Sequence, residues 1–129
     1  MTTEHEIDAA IRQKYGPEPT AEPYIGHGWG DEALRHYERF LGHYGVITSP
    51  ELWPRQAKFQ KGQQVCYSAH TPKKRAGQTG VVVGFSREAP TFRGWSMGYT
   101  TSPGGNHVVV AWPDGSLSKV RPGDLEAAQ

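Results

Sequence analysis

The chain has 129 residues, within the ~100 to 150 residues of a single domain, which argues against two independent cores joined by a linker. Hydrophobic residues make up 36% and charged residues 21%, with Gly 16, Pro 10 and one cysteine; this predicts many turns and excludes an internal disulfide framework or a multi-cysteine metal site built by this chain alone. The net charge of +1 hides an asymmetry, five Lys/Arg against nine Asp/Glu up to residue 57 and nine against four from residue 58 on, as when one half docks on the other or a basic face meets an acidic partner.

The opening MTTEHEIDAA has neither a basic lead nor an apolar run, and no stretch approaches the ~20 apolar residues of a membrane span, so the expected location is cytoplasmic. Thr3 with Glu6 three residues later is a capping-box pattern, Ile7, Ala10 and Ile11 share a face, and Gly16-Pro17 stops the run. The pattern predicts a helix over 3–15 whose thin apolar stripe needs something to pack on. Residues 16–30 hold three prolines and four glycines with no period, and read as an extended arm. Tyr24, Ile25 and Trp29 are too apolar for a spacer. The arm is therefore expected to lie on a surface, with Tyr24 and Trp29 at least partly buried on this chain or on a second one. Asp31 as a cap, the recurrence of Leu34, Tyr37, Leu41 and Tyr44, and Gly45 as terminator predict a second helix over 31–44. Ser49-Pro50 opens a short helical turn that Pro54 ends.

From Phe59 onward the texture changes to short β-branched runs. Strands are predicted over 63–69, 79–85, 107–112 and 116–120, with a short last one after Arg121-Pro122-Gly123-Asp124-Leu125, and Pro113-Asp114-Gly115 forms a tight hairpin. Val81, Val83 and Phe85 alternate onto one face, as do Val108, Val110 and Trp112. Five short strands with one buried face are best closed into a barrel, which removes exposed edges. The fold class is thus α+β: a helical part over 1–57, then a small five-stranded SH3-like β-barrel over 58–129 with a long loop at 86–106.

That loop interleaves Arg87, Phe92, Arg93, Trp95, Met97 and Tyr99. Rigid rings and guanidinium groups on an irregular segment suit a binding surface, and the bland alternative is that Phe92, Trp95 and Tyr99 fold back to cap the barrel. The candidate partner-binding residues are Tyr24, Trp29, Tyr37, Phe92, Arg93, Trp95 and Tyr99. Lys73, Lys74 and Arg75 sit between the first two strands, and with Arg87, Arg93, Lys119 and Arg121 would make a basic stripe for phosphates, against the plainer reading of a solvated turn. His36 and His43 lie two turns, ~10 Å, apart on one helix, too far for one ion, and are expected to face solvent or a partner. Cys66, within a strand, reads as inert packing or a surface thiol. No self-contained active site emerges; His70 and His107 beside an acidic residue would be the constellation to revive one.

The order of a tyrosine-rich helix into Gly45-Val46-Ile47-Thr48, then Glu51-Leu52, Phe59-x-x-Gly62-x-x-Val65, His70-Thr71, Gly77, Gly80 and Val82 resembles the C-terminal region of the β-type subunit of nitrile hydratases and the related thiocyanate hydrolases over roughly residues 31–129. The resemblance implies an SH3-like barrel without its own cofactor, and cobalt or iron on a cysteine-rich partner subunit. It also implies a role for this chain in the interface and in arginines near that metal. The family's Asp is Gln63 here and its Arg after His-Thr is Pro72, which leaves open a subunit of such a hydro-lyase, an accessory protein for it, or a barrel used otherwise. Phe-x-x-Gly-x-x-Val also opens KOW-type modules. The leading expectation is a non-catalytic protein-binding subunit or accessory protein, and the alternative is a KOW-like nucleic-acid binder using Lys73, Lys74, Arg75, Arg87 and Arg93.

Overall fold

The computed structural model describes residues 4–26, 28–53, 57–68, 77–86 and 107–128. Two helices, α1 (Glu4–Tyr15) and α2 (Asp31–Gly42), precede five strands, β1 (Gln64–Tyr67), β2 (Gly80–Ser86), β3 (His107–Ala111), β4 (Leu117–Val120) and β5 (Leu125–Ala127). The fold is α+β, as the change of period along the sequence predicts. Among the described residues no helix is long and apolar enough to cross a membrane.

Helix α2 buries Tyr37, Phe40 and Leu41, the three- and four-residue spacing that carries the helical reading, and His36 with them. Its N-cap is Gly30, with no side-chain capping bond. Asp31 is therefore not the cap; it stands in the first turn, where its charge opposes the positive end of the helix dipole. The chain leaves α2 through Gly45 at φ 77°, a left-handed turn that a Cβ would disfavour. Helix α1 packs beside α2, with Ile11 buried and Ile7 and Tyr15 partly so, and Arg39 donates to Asp8 across the pair at 2.7 Å. Between the helices, the arm contains a short 3₁₀ turn at Glu22–Tyr24. It is tied to the far end of the chain by the Ala21 N–H, which donates to the Gly115 carbonyl at 2.8 Å.

The strands form one antiparallel sheet in the order β4-β3-β2-β1-β5. Each pair from β1 to β4 is a sequential neighbour, and β5 returns to β1 with Cys66 opposite Glu126. Among the described residues β4 and β5 are outer strands with no ladder between them, so the sheet is open rather than closed into a barrel. With four and three residues, these outer strands are too short to offer a long edge, which is a second way of limiting the exposure that closure would have removed.

Both faces of the sheet are covered, where the sequence pattern suggested one. On the first, Val83, Val109, Ala111 and Leu117 join Ile11, Ala21, Tyr37, Phe40, Leu41 and Val46, so the core runs across the boundary in sequence texture near residue 57. On the second, Val65, Val82, Val108, Val110, Trp112, Val120 and Leu125 enclose Phe59, with Trp53 and Tyr67 against them. Strand β3 is consequently buried at every position. The alternation of Val108, Val110 and Trp112 onto one face holds. That of Val81, Val83 and Phe85 does not: a bulge between Val82 and Gly84 shifts the register, Phe85 falls opposite Val108, and its ring meets Trp53 at 6.2 Å.

The hairpin at Pro113-Asp114-Gly115 is formed as expected. The Gly115 N–H donates to the Trp112 carbonyl at 3.0 Å, the Trp112 N–H donates to the Ser116 carbonyl at 2.9 Å, and Gly115 takes φ 92°.

Candidate functional site

Three of the candidate partner-binding residues meet inside the protein. Tyr37 is fully buried, and the rings of Tyr15, Tyr24, Trp29 and Phe40 surround it at centroid distances of 5.6 to 6.0 Å. Its hydroxyl donates to the Thr20 carbonyl and accepts the Thr20 N–H at 2.8 Å. Tyr24 and Trp29 are partly buried on this cluster, as the apolar content of the arm led us to expect, and the covering surface belongs to the same chain. Lys14 lies over both Tyr15 and Trp29, at 5.2 and 5.4 Å from the ring centres.

Burial pushes the Tyr37 phenol well above its ordinary range, partly offset by the Thr20 bonds. Burial does the same to Tyr24, reinforced by the Glu38 carboxylate, which its hydroxyl reaches at 3.5 Å. Glu38 also accepts from Lys61 at 3.0 Å, tying α2 to the turn before β1. These groups are neutral donors over the whole physiological range, so the cluster is built for packing rather than for proton transfer.

Two residues of the expected basic stripe, Lys119 and Arg121, lie within the described residues, and both are engaged in the fold. Lys119 is fully buried and donates to the Tyr44 carbonyl at 3.0 Å, just past the C-terminal end of α2, where a cation suits the helix dipole. Arg121 bonds Asp124 at 3.2 Å. Lys73, Lys74, Arg75, Arg87, Phe92, Arg93, Trp95 and Tyr99 lie outside the described residues, as does His70.

His43 is exposed as expected, but His36 is not: it is 8% exposed, inward-facing and 3.7 Å from Asp8. Its position four residues before Phe40 on the buried stripe was a legible sign of this. His107 is buried at the start of β3. Among the described residues no group of three His, Cys, Asp or Glu side chains is placed to hold a metal ion. Cys66 is held as a thiol, first by desolvation and then by the Glu126 carboxylate opposite, whose Oε1 lies 3.8 Å from Sγ. A thiol so placed is a poor nucleophile and a poor metal ligand.

At the C-terminal end of β2 the sequence reading missed a feature. Ile47 bridges Phe85, with the Ile47 N–H donating at 2.7 Å and its carbonyl accepting at 2.9 Å. The Trp53 indole donates to that same carbonyl at 2.8 Å. The short 3₁₀ turn Pro50–Leu52 is thereby pinned beside the point from which residues 87–106 depart, and Leu52 is 63% exposed there, the exposed large hydrophobic residue among those described. Nothing in a three-residue turn announces which of its side chains will face outward. No protein-family model, no curated protein and no solved structure matches the chain.

Proposed function

We propose that the protein is a non-catalytic binding module of the SH3-like type. It docks on a protein partner through the end of the sheet where the Pro50–Leu52 turn and the root of segment 87–106 adjoin. The observation that carries this reading is the exposed Leu52 held on Trp53 and Ile47, which bridges Phe85 near the end of β2; in sequence, Phe92, Arg93, Trp95 and Tyr99 follow. Aromatic and arginine side chains are enriched in protein-binding hot spots. The strand order with β5 returning to β1, and the 3₁₀ turn Pro122–Asp124 just before β5, support the SH3-like assignment although the sheet is open.

The helix that passes through Gly45-Val46-Ile47-Thr48 into the sheet supports a role similar to the β-type subunit of nitrile-hydratase-like enzymes, or to an accessory of one. The partner would then be a cysteine-rich chain carrying cobalt or iron. Cys66, alone and kept protonated, accords with the metal lying on that chain. The nucleic-acid alternative is less well supported, because Lys119 and Arg121 are engaged within the fold.

The test is affinity purification of the chain and of two variants, Leu52→Asp and Arg93→Ala, from its native host. A specific co-purifying protein, retained by the wild type and lost by the variants while their circular dichroism is unchanged, is the expected result. A monomer with no protein partner, or binding to mixed RNA and DNA that weakens steeply with salt, overturns it.

A further inference from the structure

We propose that the rings of Tyr15 and Trp29 form a seat for a methylated ammonium group, one that Lys14 of the same chain fills until such a cation displaces it. The Lys14 Nζ lies over both faces, 5.2 Å from the Tyr15 ring centre and 5.4 Å from that of Trp29. The two ring centres are 5.6 Å apart and their planes are inclined at 38°. These three distances are nearly equal, so the cation stands at the mouth of a wedge between two π faces rather than on a single ring. Each face attracts positive charge through its quadrupole.

The spacing favours a methylated group over the bare ammonium. Carbon atoms in contact stand about 3.5 to 4.0 Å apart, so a nitrogen more than 5 Å from both rings touches neither. A nitrogen–carbon bond of about 1.5 Å directed at either face brings a methyl carbon to within contact range while the nitrogen stays in place. Hydration points the same way. A bare ammonium is strongly hydrated and holds three donors for water, and each methyl group removes one. The seat is also firm and open. Tyr15 and Trp29 both lean on the fully buried Tyr37, at 5.6 Å from its ring, so the wedge keeps its shape when the lysine swings out. Lys14 is exposed and the two rings are only partly covered, which leaves the mouth within reach of solvent. The charge of Glu22, felt at the Tyr15 hydroxyl, adds a negative field beside the seat.

The experiment titrates the full chain and Lys14→Ala with trimethyllysine, choline and unmodified lysine, read by broadening of the ligands' own NMR signals. Lys14→Ala removes an exposed side chain and clears the wedge. It should bind trimethyllysine about two- to fivefold more tightly than the wild type, which must first give up an exposed cation–π contact. Choline bound as well as trimethyllysine by that variant shows that the head group alone is read, and weaker choline binding that the alkyl stem is read too; both agree with the seat. Tyr15→Leu and Trp29→Ala, checked for folding by circular dichroism, should lose the binding. The absence of saturable binding, equal affinity in the wild type and Lys14→Ala, lysine bound as tightly as trimethyllysine, or binding kept in a folded Tyr15→Leu protein overturns the proposal.

Discussion

The Tyr37 hydroxyl of α2 and the backbone of Thr20 in the arm hold each other by two hydrogen bonds, one in each direction. A single side chain thus satisfies a peptide N–H and a peptide carbonyl on a proline-rich segment that has no regular ladder to join. Tyr37→Phe keeps the ring in its aromatic surroundings and removes only these bonds. We expect a loss of about 2 kcal/mol in urea unfolding, the cost of leaving a backbone donor and acceptor without partners. A variant as stable as the wild type would show that water replaces the hydroxyl without penalty.

Trp29 lies on Tyr15 and Tyr37, at 5.6 Å from each ring, so the surface it covers is intramolecular. Trp29→Ala should lower stability by about 2 kcal/mol, less than for a fully enclosed Trp, with a melting temperature that does not depend on protein concentration. A concentration-dependent melting curve in the wild type that disappears in the variant would instead assign Trp29 to an interface.

Gly84 marks where the segment after α2 crosses β2. A Cβ built there meets Val46 Cγ1 at 2.5 Å and the Ile47 carbonyl at 3.3 Å, and the Ile47–Phe85 bridge fixes that segment in place. Gly84→Ala should cost ~1 to 3 kcal/mol by overpacking. Gly123→Ala, with open space around the added methyl, should stay within ~0.5 kcal/mol of the wild type. Equal effects of the two substitutions would mean that the crossing is looser than the distances imply.

Alkaline pH should destabilise the fold earlier than its other groups suggest. Tyr24 and Tyr37 have folded values raised from 10.0, so the unfolded chain loses these protons first. Their contribution is whole below about pH 10 and falls above it, by up to ~1.4 kcal/mol per pH unit for each tyrosine. Tyrosinate absorbance followed with and without urea, for wild type and Tyr24→Phe, checks this. Simultaneous ionisation of all tyrosines in the folded protein would refute it.

Much of the fold was legible because it rests on local periodicities. The spacing of Tyr37, Phe40 and Leu41 gave α2, Gly45 its end, and the β-branched runs the five strands in order. What was not legible depended on partners distant in sequence. The bulge that turns Phe85 toward Trp53 has no local signature in Val81 to Phe85. Lys119, a residue type that usually seeks water, is drawn inside by the carbonyl of Tyr44, seventy-five positions earlier. Covering the outer face with α2 and the arm made β3 buried on both sides, which an alternating pattern does not reveal. For the candidate site, sequence marked Tyr24 and Trp29 as needing cover but could not say that Tyr37 supplied it, and it passed over Leu52 because an exposed side chain in a short turn leaves no periodic trace.

The first-face core joins Tyr37, Phe40 and Leu41 to Val109, Ala111 and Leu117, residues made early in synthesis to residues made late. During translation α2 leaves the ribosome with its apolar stripe bare, and the strands that will cover it are still to be added. Nascent chains of this protein therefore pass through a long interval in which an amphipathic helix is exposed and the sheet is unformed. Synthesis of the strands through β4, rather than emergence of the first helix, therefore becomes the step that lets the first-face core form.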